Sequence, residues 1–382
     1  MSIPTFIDIT ETEQCEELRE YLTSLGATLG QKSDTFVSEL KQIIGVSDTL
    51  LTESDKDADT ESVLNSIVSL LLTSVPQSSP ECSLLVNHFC EQLLKANNAK
   101  TSLVCLRVLK NLFSGLIDVD LRFRVYETLV RLAAISLQIG LVFEDTLKLK
   151  EWFPVKTVGT ERWQRLLRLL HEVLLSAKQS EAASRVLIEL LSTYTEDNAS
   201  QARDDAHRCI VFFLSDRNTF LMDHLLALKP VKILEGEPIH DLLTIFVAEK
   251  LSAYIKFYNA RKDFVDSLGL NHEQNLQKMR LLTFMQMAES RKEIPFDAIQ
   301  HDLQLNPDQV ESFVIDVLRT KLVRAKVDQV NHRVLVSSTM HRTFGRPQWI
   351  QLRETLHKWA QNLAKVQHTV HVATSRVDSV GA

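Results

Sequence analysis

The sequence predicts an all-α fold, in which a helical-repeat solenoid leads into a winged-helix module and then into a C-terminal helix. Three observations support this prediction. The 382 residues include only ten glycines and nine prolines, which favours long uninterrupted helices. The apolar period changes from helical to alternating in one stretch, after Thr320. Beyond that stretch, apolar residues recur at heptad spacing, which is typical of a helix that packs against other helices.

The N-terminal part, residues 1–179, is expected to consist of helical repeats. Thr10 to Glu13 has the pattern of a capping box, which starts a helix. No residue motif repeats at a fixed period, so we expect a degenerate helix-pair solenoid. From Val63 onward, apolar segments alternate with short polar breaks, and these predict helices near residues 61–73, 80–95, 100–115, 119–138, 160–177, 181–194, 198–214, 217–228 and 237–258.

Residues 180–340 are expected to form a second module, which contains a winged helix at about 276–340. A helical pattern ends at Ile294 and Pro295, and a short helix is predicted from Phe296 to Leu305. Short helices joined by tight turns are typical of the first part of a winged-helix domain.

The remaining elements of the winged helix follow in order. Asn306 to Gln309 combines an N-cap, a proline at the first helical position and a Gln three residues after the cap. Val310 to Leu318 then presents one apolar stripe, which we expect to be buried. Apolar and charged residues alternate from Val323 to Asp328, residues 329–331 turn the chain, and the alternation returns at 334–336. Three helices closed by a β-hairpin predict a winged helix.

Residues 341–382 are predicted to form a connector, a C-terminal heptad helix and a tail. A seam of apolar residues recurs at spacings of 3 and 4 along this helix: Trp349, Leu352, Leu356, Trp359, Leu363, Val366 and Val370. The six residues from Trp349 to Val366 are our candidate partner-binding residues, because two of them are Trp, which is common among interface anchors. The alternative is that the seam packs back on the winged helix. The 3.5-residue period favours partner helices, since a helix on a globular core usually has a broader stripe.

The charge distribution argues against specific binding to DNA. A formal net charge of -6 disfavours general nucleic-acid affinity. The third helix of the winged helix has Asp308, Glu311 and Asp316 on its exposed face, where a DNA reader needs basic residues. An acidic segment from Glu53 to Glu61 is interpreted as a solvated loop and helix start, with an acidic docking site as the alternative.

A basic stretch follows the third helix. From Arg319 to Lys365 the chain has ten Lys or Arg and two acidic residues. Within it, Arg324, Lys326 and Arg333 are candidates for contact with RNA or with an acidic partner. The alternative is a solvated wing.

The sequence has none of the motifs that carry catalysis or bind cofactors. It lacks a glycine-rich phosphate loop, a Cys-x-x-Cys pair and a His-Glu-x-x-His pattern. His207 and Cys209 point away from each other on a helix, and so do His240 and Asp241. We therefore expect no catalytic, metal or cofactor site. The five cysteines are interpreted as reduced core thiols, and no signal peptide or membrane span is predicted, so we expect a soluble cytoplasmic protein.

Degenerate helix pairs that lead into a winged helix, with one more helix after it, resemble the PCI module. That module is shared by scaffold subunits of the proteasome lid, the signalosome and eukaryotic initiation factor 3. Residues Ser192–Val211 and Leu228–Val247 are similar to the subunit M family of that factor, as are Lys256–Tyr258, His341–Gly345 and the opening Pro4–Ile9. The resemblance is specific mainly between residues 190 and 345.

The resemblance implies a non-catalytic scaffold subunit of the factor that binds the 40S ribosomal subunit and helps to recruit mRNA and initiator tRNA. The expected partners are the other subunits, through the winged helix and the C-terminal helix, and the 40S subunit through the complex. Weak RNA contact is the further expectation, with no membrane and no specific DNA among the partners. The alternatives are a scaffold subunit of the signalosome or proteasome lid, and an RNA-binding adaptor.

Overall fold

The computed structural model describes residues 10–32, 35–51, 57–96, 98–195 and 202–380. The chain divides into two compact units, Met1–Thr193 and Tyr194–Ala382. The predicted similarity at Pro4–Ile9, the first residues of the helix predicted at 198–214 and residues 53–56 of the acidic segment lie outside the described residues.

The first unit is a series of packed helices. Its helices are α1 (Glu11–Ser24), α2 (Phe36–Gly45), α3 (Asp57–Thr73), α4 (Pro80–Leu93), α5 (Ala99–Gly115), α6 (Val119–Ser136), α7 (Thr146–Trp152), α8 (Val155–Val158), α9 (Thr160–Ser176) and α10 (Ser180–Ser192). Neighbouring helices pair along the chain, since α5 packs on α6 and α9 packs on α10, while α3 also packs on α5 and α2 on α4.

Local caps start several of these helices where the sequence predicts them. Thr10 and Glu13 form a capping box at α1. The side chains of Ser79 and Asp118 each accept a hydrogen bond from a backbone N–H in the first turn of α4 and α6. The predicted helices between residues 61 and 194 are confirmed, and α10 belongs to the first unit. The short helices α7 and α8 were not predicted.

The second unit contains the winged helix and the helices before it. Its elements are α11 (Arg203–Ser215), α12 (Asp223–Leu226), α13 (Lys229–Ile233), α14 (Pro238–Ala248), α15 (Leu251–Ala260), α16 (Lys262–Ser267), α17 (His272–Ser290), β1 (Glu293–Pro295), α18 (Phe296–Leu303), α19 (Val310–Arg319), β2 (Val323–Asp328), β3 (Arg333–Thr339) and α20 (Arg346–Val380).

Two predicted helices of this unit are wrong in extent. The helix expected at 217–228 is reduced to α12, because the Asp216 side chain accepts hydrogen bonds from Asn218 and Thr219 and holds a turn there. The helix expected at 237–258 breaks into α14 and α15. Glu249 and Lys250 have extended backbone at the break.

The winged-helix sheet has three antiparallel strands in the order β1-β3-β2. The sequence analysis does not predict strand β1, because three residues are too few to establish an alternating period. Ile294 of β1 lies opposite Val334 of β3, and both side chains are buried. The predicted hairpin of β2 and β3 and the capping box at Asn306 are confirmed.

The apolar stripe of α19 is buried in part. Val310, Val314 and Val317 are buried, whereas Phe313 is half-buried and meets the Phe284 ring edge-on, with 6.0 Å between the ring centroids. The expectation that the whole stripe is buried is therefore wrong at Phe313 and at Leu318, which is also half-buried.

All five cysteines are buried and unpaired, as the sequence predicts: Cys15, Cys82, Cys90, Cys105 and Cys209. Burial raises the pKa of the Cys90 and Cys105 thiols to about 12, so they stay protonated and behave as small apolar side chains. Among the described residues, no helix is both long and apolar enough to span a bilayer.

The side chain of Lys278 on α17 is a buried cation that contacts the C-terminal end of α11. Its Nζ donates to the carbonyl oxygens of Phe213, at 2.7 Å, and Asp216, at 2.8 Å. These carbonyls belong to the last turn of α11 and the residue after it, where no intrahelical donor reaches them. Burial lowers the pKa of Lys278 to about 8, while Asp216 opposes that change.

This pKa predicts a pH dependence of stability. Between pH 8 and 10.5 the unfolded chain holds more protons at Lys278 than the folded chain, so the free energy of unfolding increases with pH in this window. We expect wild type to gain stability relative to Lys278→Met across the window, in denaturant titrations. Lys232→Met, at an exposed lysine of α13, is the control. Parallel pH profiles for wild type and Lys278→Met would contradict the assignment.

Candidate protein-interaction surface

The C-terminal helix α20 exposes the whole predicted seam. Every described side chain from Trp349 to Val370 is exposed, and Trp349 and Trp359 are 61% and 62% exposed. The seam therefore does not pack back on the winged helix of this chain. At a rise of about 1.5 Å per residue, the 35 residues of α20 extend roughly 52 Å.

The start of α20 is set by its local sequence. Pro347 lies in the first turn, where its missing N–H leaves no backbone acceptor unpaired. The backbone N–H of Gly345 donates to Gln348 Oε1 at 3.1 Å, and the Gly345 carbonyl accepts from the Trp349 N–H at 3.1 Å. The helix thus begins directly after the connector.

Arg342 anchors the connector inside the second unit. The residue is 5% exposed, and its guanidinium donates to three backbone carbonyls at the end of α14. Nη2 lies 2.9 Å from Ile245 O and 2.7 Å from Phe246 O, and Nη1 lies 2.7 Å from Glu249 O. Ile245 O also accepts from the Glu249 N–H, so the guanidinium is the added donor for Phe246 O and Glu249 O, at the end of α14 where the helix dipole favours positive charge. Burial lowers the pKa of Arg342 to about 10, so the guanidinium stays charged at neutral pH.

Neighbouring residues hold the connector at further points. His341 Nδ1 lies 2.6 Å from Glu289 Oε1 on α17. The backbone N–H of Phe344 donates to Asp223 Oδ2 on α12, at 3.1 Å. The Phe344 ring also meets Trp349 edge-on, with 4.9 Å between the ring centroids. The base of α20 is therefore fixed to three helices of this unit, although the rest of its described length is exposed.

The flanks of the seam are weakly charged. If Trp349 occupies heptad position a, then the g positions are Gln348, Thr355, Asn362 and Thr369, and the e positions are Arg353, Ala360 and Gln367. Arg353 is the one ionised side chain among these seven residues. The flanking ion pairs that set partner choice in many coiled coils therefore have almost no counterpart among these positions.

The predicted basic contact residues are separated by the structure. Arg324 and Lys326 are exposed on the edge strand β2. Arg333 of β3 is instead paired, with Nη1 2.8 Å from Glu293 and Nε 3.0 Å from Asp328. Hydrogen bonds from Asn331 and Arg333 lower the pKa of Asp328 to about 2, which keeps this pair charged. Arg333 therefore closes the wing, and the exposed basic pair is Arg324 and Lys326.

The acidic residues of α19 are also placed by the structure. Asp316 pairs with Arg319 at 3.1 Å, and Glu311 accepts a hydrogen bond from Gln329 of the wing at 3.0 Å. This face offers carboxylates to a phosphate backbone, which disfavours the insertion of α19 in a major groove.

Ion pairing or burial accounts for two other residues that the sequence analysis considers as candidates for a site. Asp241 lies 3.5 Å from Arg261 in an ion pair, and Cys209 is fully buried. The resemblance at His341–Gly345 includes Arg342 but implies no role for it. A local pattern cannot assign one, because its acceptors lie more than 90 residues earlier in the chain.

Two family models match the second unit. A model of the PCI domain matches residues 247–338. A model described as eIF3 subunit M, C-terminal helix, matches residues 342–370, which begin at Arg342 and end with the last residue of the seam. The two matches together cover the winged helix and the exposed helix that follows it.

Curated relatives match nearly the whole chain. Eukaryotic translation initiation factor 3 subunit M from Mus musculus and from Homo sapiens are each 51% identical to it over 373 residues, which cover 97% of this chain and 98% of theirs. Subunit M from Danio rerio is 49% identical over 373 residues, with the same coverage.

Removal of the Arg342 guanidinium is predicted to destabilise the second unit. In Arg342→Met, the carbonyls of Phe246 and Glu249 lose their donor and that of Ile245 keeps the Glu249 N–H, and we expect a loss of about 2–4 kcal/mol in the free energy of unfolding. Arg346→Met, at an exposed position of α20, is the matched control. Equal denaturation midpoints for the two variants would rule out the anchoring role.

Proposed function

Because the chain belongs to the family of eukaryotic translation initiation factor 3 subunit M, we propose that its exposed C-terminal helix joins it to other subunits of that factor. The chain is a non-catalytic scaffold subunit of the translation initiation factor 3 complex. The observation that carries the proposed interface is the exposure of seven apolar seam residues on one helix, with its base fixed by Arg342.

Free energy favours a covered seam. Full burial of a Val or Leu side chain contributes about 1.5–3 kcal/mol relative to exposure, and Trp offers a larger apolar area. A helix without tertiary contacts also gains little from its backbone alone. Partner helices that wrap along the seam supply the missing contacts. Trp side chains at positions a and d need a wide core, so we infer a bundle of several helices rather than a two-stranded coil.

The winged helix offers a second contact to neighbouring subunits. Strand β2 is an edge strand, and it presents unpaired backbone groups on its outer side. An edge of this kind accepts a strand from a partner. In this proposal the assembled complex, in the cytoplasm, binds the 40S subunit and recruits mRNA and initiator tRNA, and this chain contributes by holding the complex together.

Disruption of the seam is predicted to release the chain from the complex. Truncation after Gly345 removes α20 but keeps the Arg342 anchor, so the remaining chain should stay folded and fail to co-purify with the other subunits. Leu356→Asp with Trp359→Asp should have the same effect, since each places a charge in the seam. The measurement is co-purification of tagged chains from cells, with melting curves of the purified variants.

A matched control tests whether the face of the helix matters. Gln351→Asp with Gln361→Asp introduces two charges on the side of α20 away from the seam, and this variant should stay in the complex. If the truncated chain remains assembled, or melts far below the full chain, the seam is not the assembly surface.

Arg324 and Lys326 are proposed as a weak contact for RNA. Their exposure favours a salt-sensitive contact with a phosphate backbone. In fluorescence anisotropy with a single-stranded RNA oligonucleotide, Arg324→Glu with Lys326→Glu should abolish weak binding, whereas Lys232→Glu should not. Unchanged RNA affinity in the double variant would refute this proposal. Sub-micromolar, sequence-dependent binding of duplex DNA by wild type would overturn the separate expectation that the chain does not bind DNA specifically.

A further inference from the structure

A concave apolar site lies in the first unit, far along the sequence from α20. A cavity of about 420 Å³ opens between α5 and α6 and the segment that leads into α7. Its volume falls within the roughly 300–1,000 Å³ of protein sites that hold organic ligands or side chains. Nothing in the scaffold function above accounts for it.

Three aromatic rings form one side of this cavity. The Phe113 ring lies 5.4 Å from Trp152 and 6.0 Å from Tyr126, measured between ring centroids. Phe113 and Tyr126 are buried, whereas Trp152 is half-exposed. The Trp152 indole N–H has no hydrogen-bond acceptor among the residues that the structure describes. The ring cluster is rigid, because Tyr126 OH donates to Val142 O and holds its own ring in place.

The rim of the cavity is apolar on one side. Leu141 is 53% exposed although it lines the cavity, and Leu103 is half-buried at the same opening. An apolar ligand that covers these two leucines would remove apolar surface from water, which is favourable. The guest must therefore carry an apolar side chain that fills the cavity and a surface that covers the rim.

The charges at the rim identify the polar part of the guest. Arg107 pairs with Glu61 at 2.7 Å, and Glu144 pairs with Lys148. Lys110 lies on the same rim, is exposed, and has no ion pair within the described part of the chain. The rim thus has one uncompensated positive charge, which a carboxylate of the guest would match.

A second uncompensated cation lies behind the aromatic wall. The Arg122 guanidinium sits 4.5 Å from the centroid of the Phe113 ring, and its buried Nε has no hydrogen-bond partner in the described chain. Burial lowers the pKa of Arg122, because the charged guanidinium is partly removed from water and no nearby carboxylate among the described residues offsets this. Both cations increase the positive potential at the cavity.

We propose that this cavity docks a peptide segment of another protein, with an aromatic or leucine side chain in the cavity and an Asp or Glu that pairs with Lys110. The apolar side chain replaces water against Phe113, Tyr126 and Trp152. The carboxylate and the Trp152 N–H fix the direction of the segment. This inference goes beyond the assembly role of α20, because the cavity lies in the first unit and α20 in the second.

The test uses 15-residue peptides that tile the other subunits of initiation factor 3, bound to the full-length chain and measured by fluorescence polarisation. We expect binding peptides to have an aromatic residue or leucine within about one helical turn of a carboxylate. Replacement of that apolar residue by Ala, or of the acid by Lys, should weaken binding at least tenfold.

Matched variants of the chain locate the bound peptide. Lys110→Glu should weaken binding at least tenfold, and Leu103→Trp, which fills the opening, should abolish it. Lys100→Glu reverses an exposed lysine on the same helix that does not line the cavity, and it should leave the affinity within twofold. Melting temperatures of the two lysine variants should match wild type, which separates loss of binding from loss of fold.

Several outcomes would overturn the proposal. The first is that none of the tiled peptides binds. The second is that the peptides that bind contain no Asp or Glu. The third is that Lys110→Glu and Leu103→Trp leave peptide binding unchanged. Binding that appears only after deletion of residues 1–9 would assign the cavity to the N-terminus of this chain instead. Dimerisation of wild type that Lys110→Glu abolishes would assign it to a second copy. Assembly through α20 is measured separately by co-purification, so each idea can fail without the other.

Discussion

The arrangement of the second unit depends on hydrogen-bond donors for the backbone carbonyls at the ends of its helices. A helix leaves its last carbonyls without donors, and a buried end must find them elsewhere. Two buried cations supply these donors: Lys278 from α17 at the end of α11, and Arg342 from the connector at the end of α14. Each cation reaches between elements that are distant in sequence. The energetic cost of their burial is offset because several acceptors share each charge.

The Arg342 contact has a direct effect on the exposed helix. With His341 bound to Glu289 and Phe344 bound to Asp223, the last residues before α20 cannot change direction freely. The apolar seam is therefore presented by a folded base, and less conformational entropy is lost when a partner binds than for a free tail. This arrangement separates the part of the chain that maintains the fold from the helix that we propose for assembly. Within the described residues, the fold does not use the seam.

Local patterns in the sequence were sufficient for most of the helices, the β-hairpin and the seam, because caps and apolar periods act within a few residues. The features that were missed depend on distant partners. Strand β1 exists because Ile294 pairs with Val334, and the break before α15 is held by Arg342 on one side and by Thr283, which accepts from the Leu251 N–H, on the other. Arg333 looked like a free base until the fold brought Glu293 beside it. Burial of the α19 stripe is incomplete at Phe313 and Leu318, because a helical period predicts which side of a helix is apolar and not how far its neighbours cover it.

The exposure of α20 also bears on the fate of a chain that has not yet found its complex. A newly made copy displays two tryptophans and a row of aliphatic side chains to water, the kind of surface that chaperones bind and that promotes aggregation. If α20 is the assembly helix proposed above, the lifetime of such a copy in the cell depends on how soon other helices cover that surface, because unprotected chains are open to proteolysis. The supply of this subunit would then follow the supply of its neighbours.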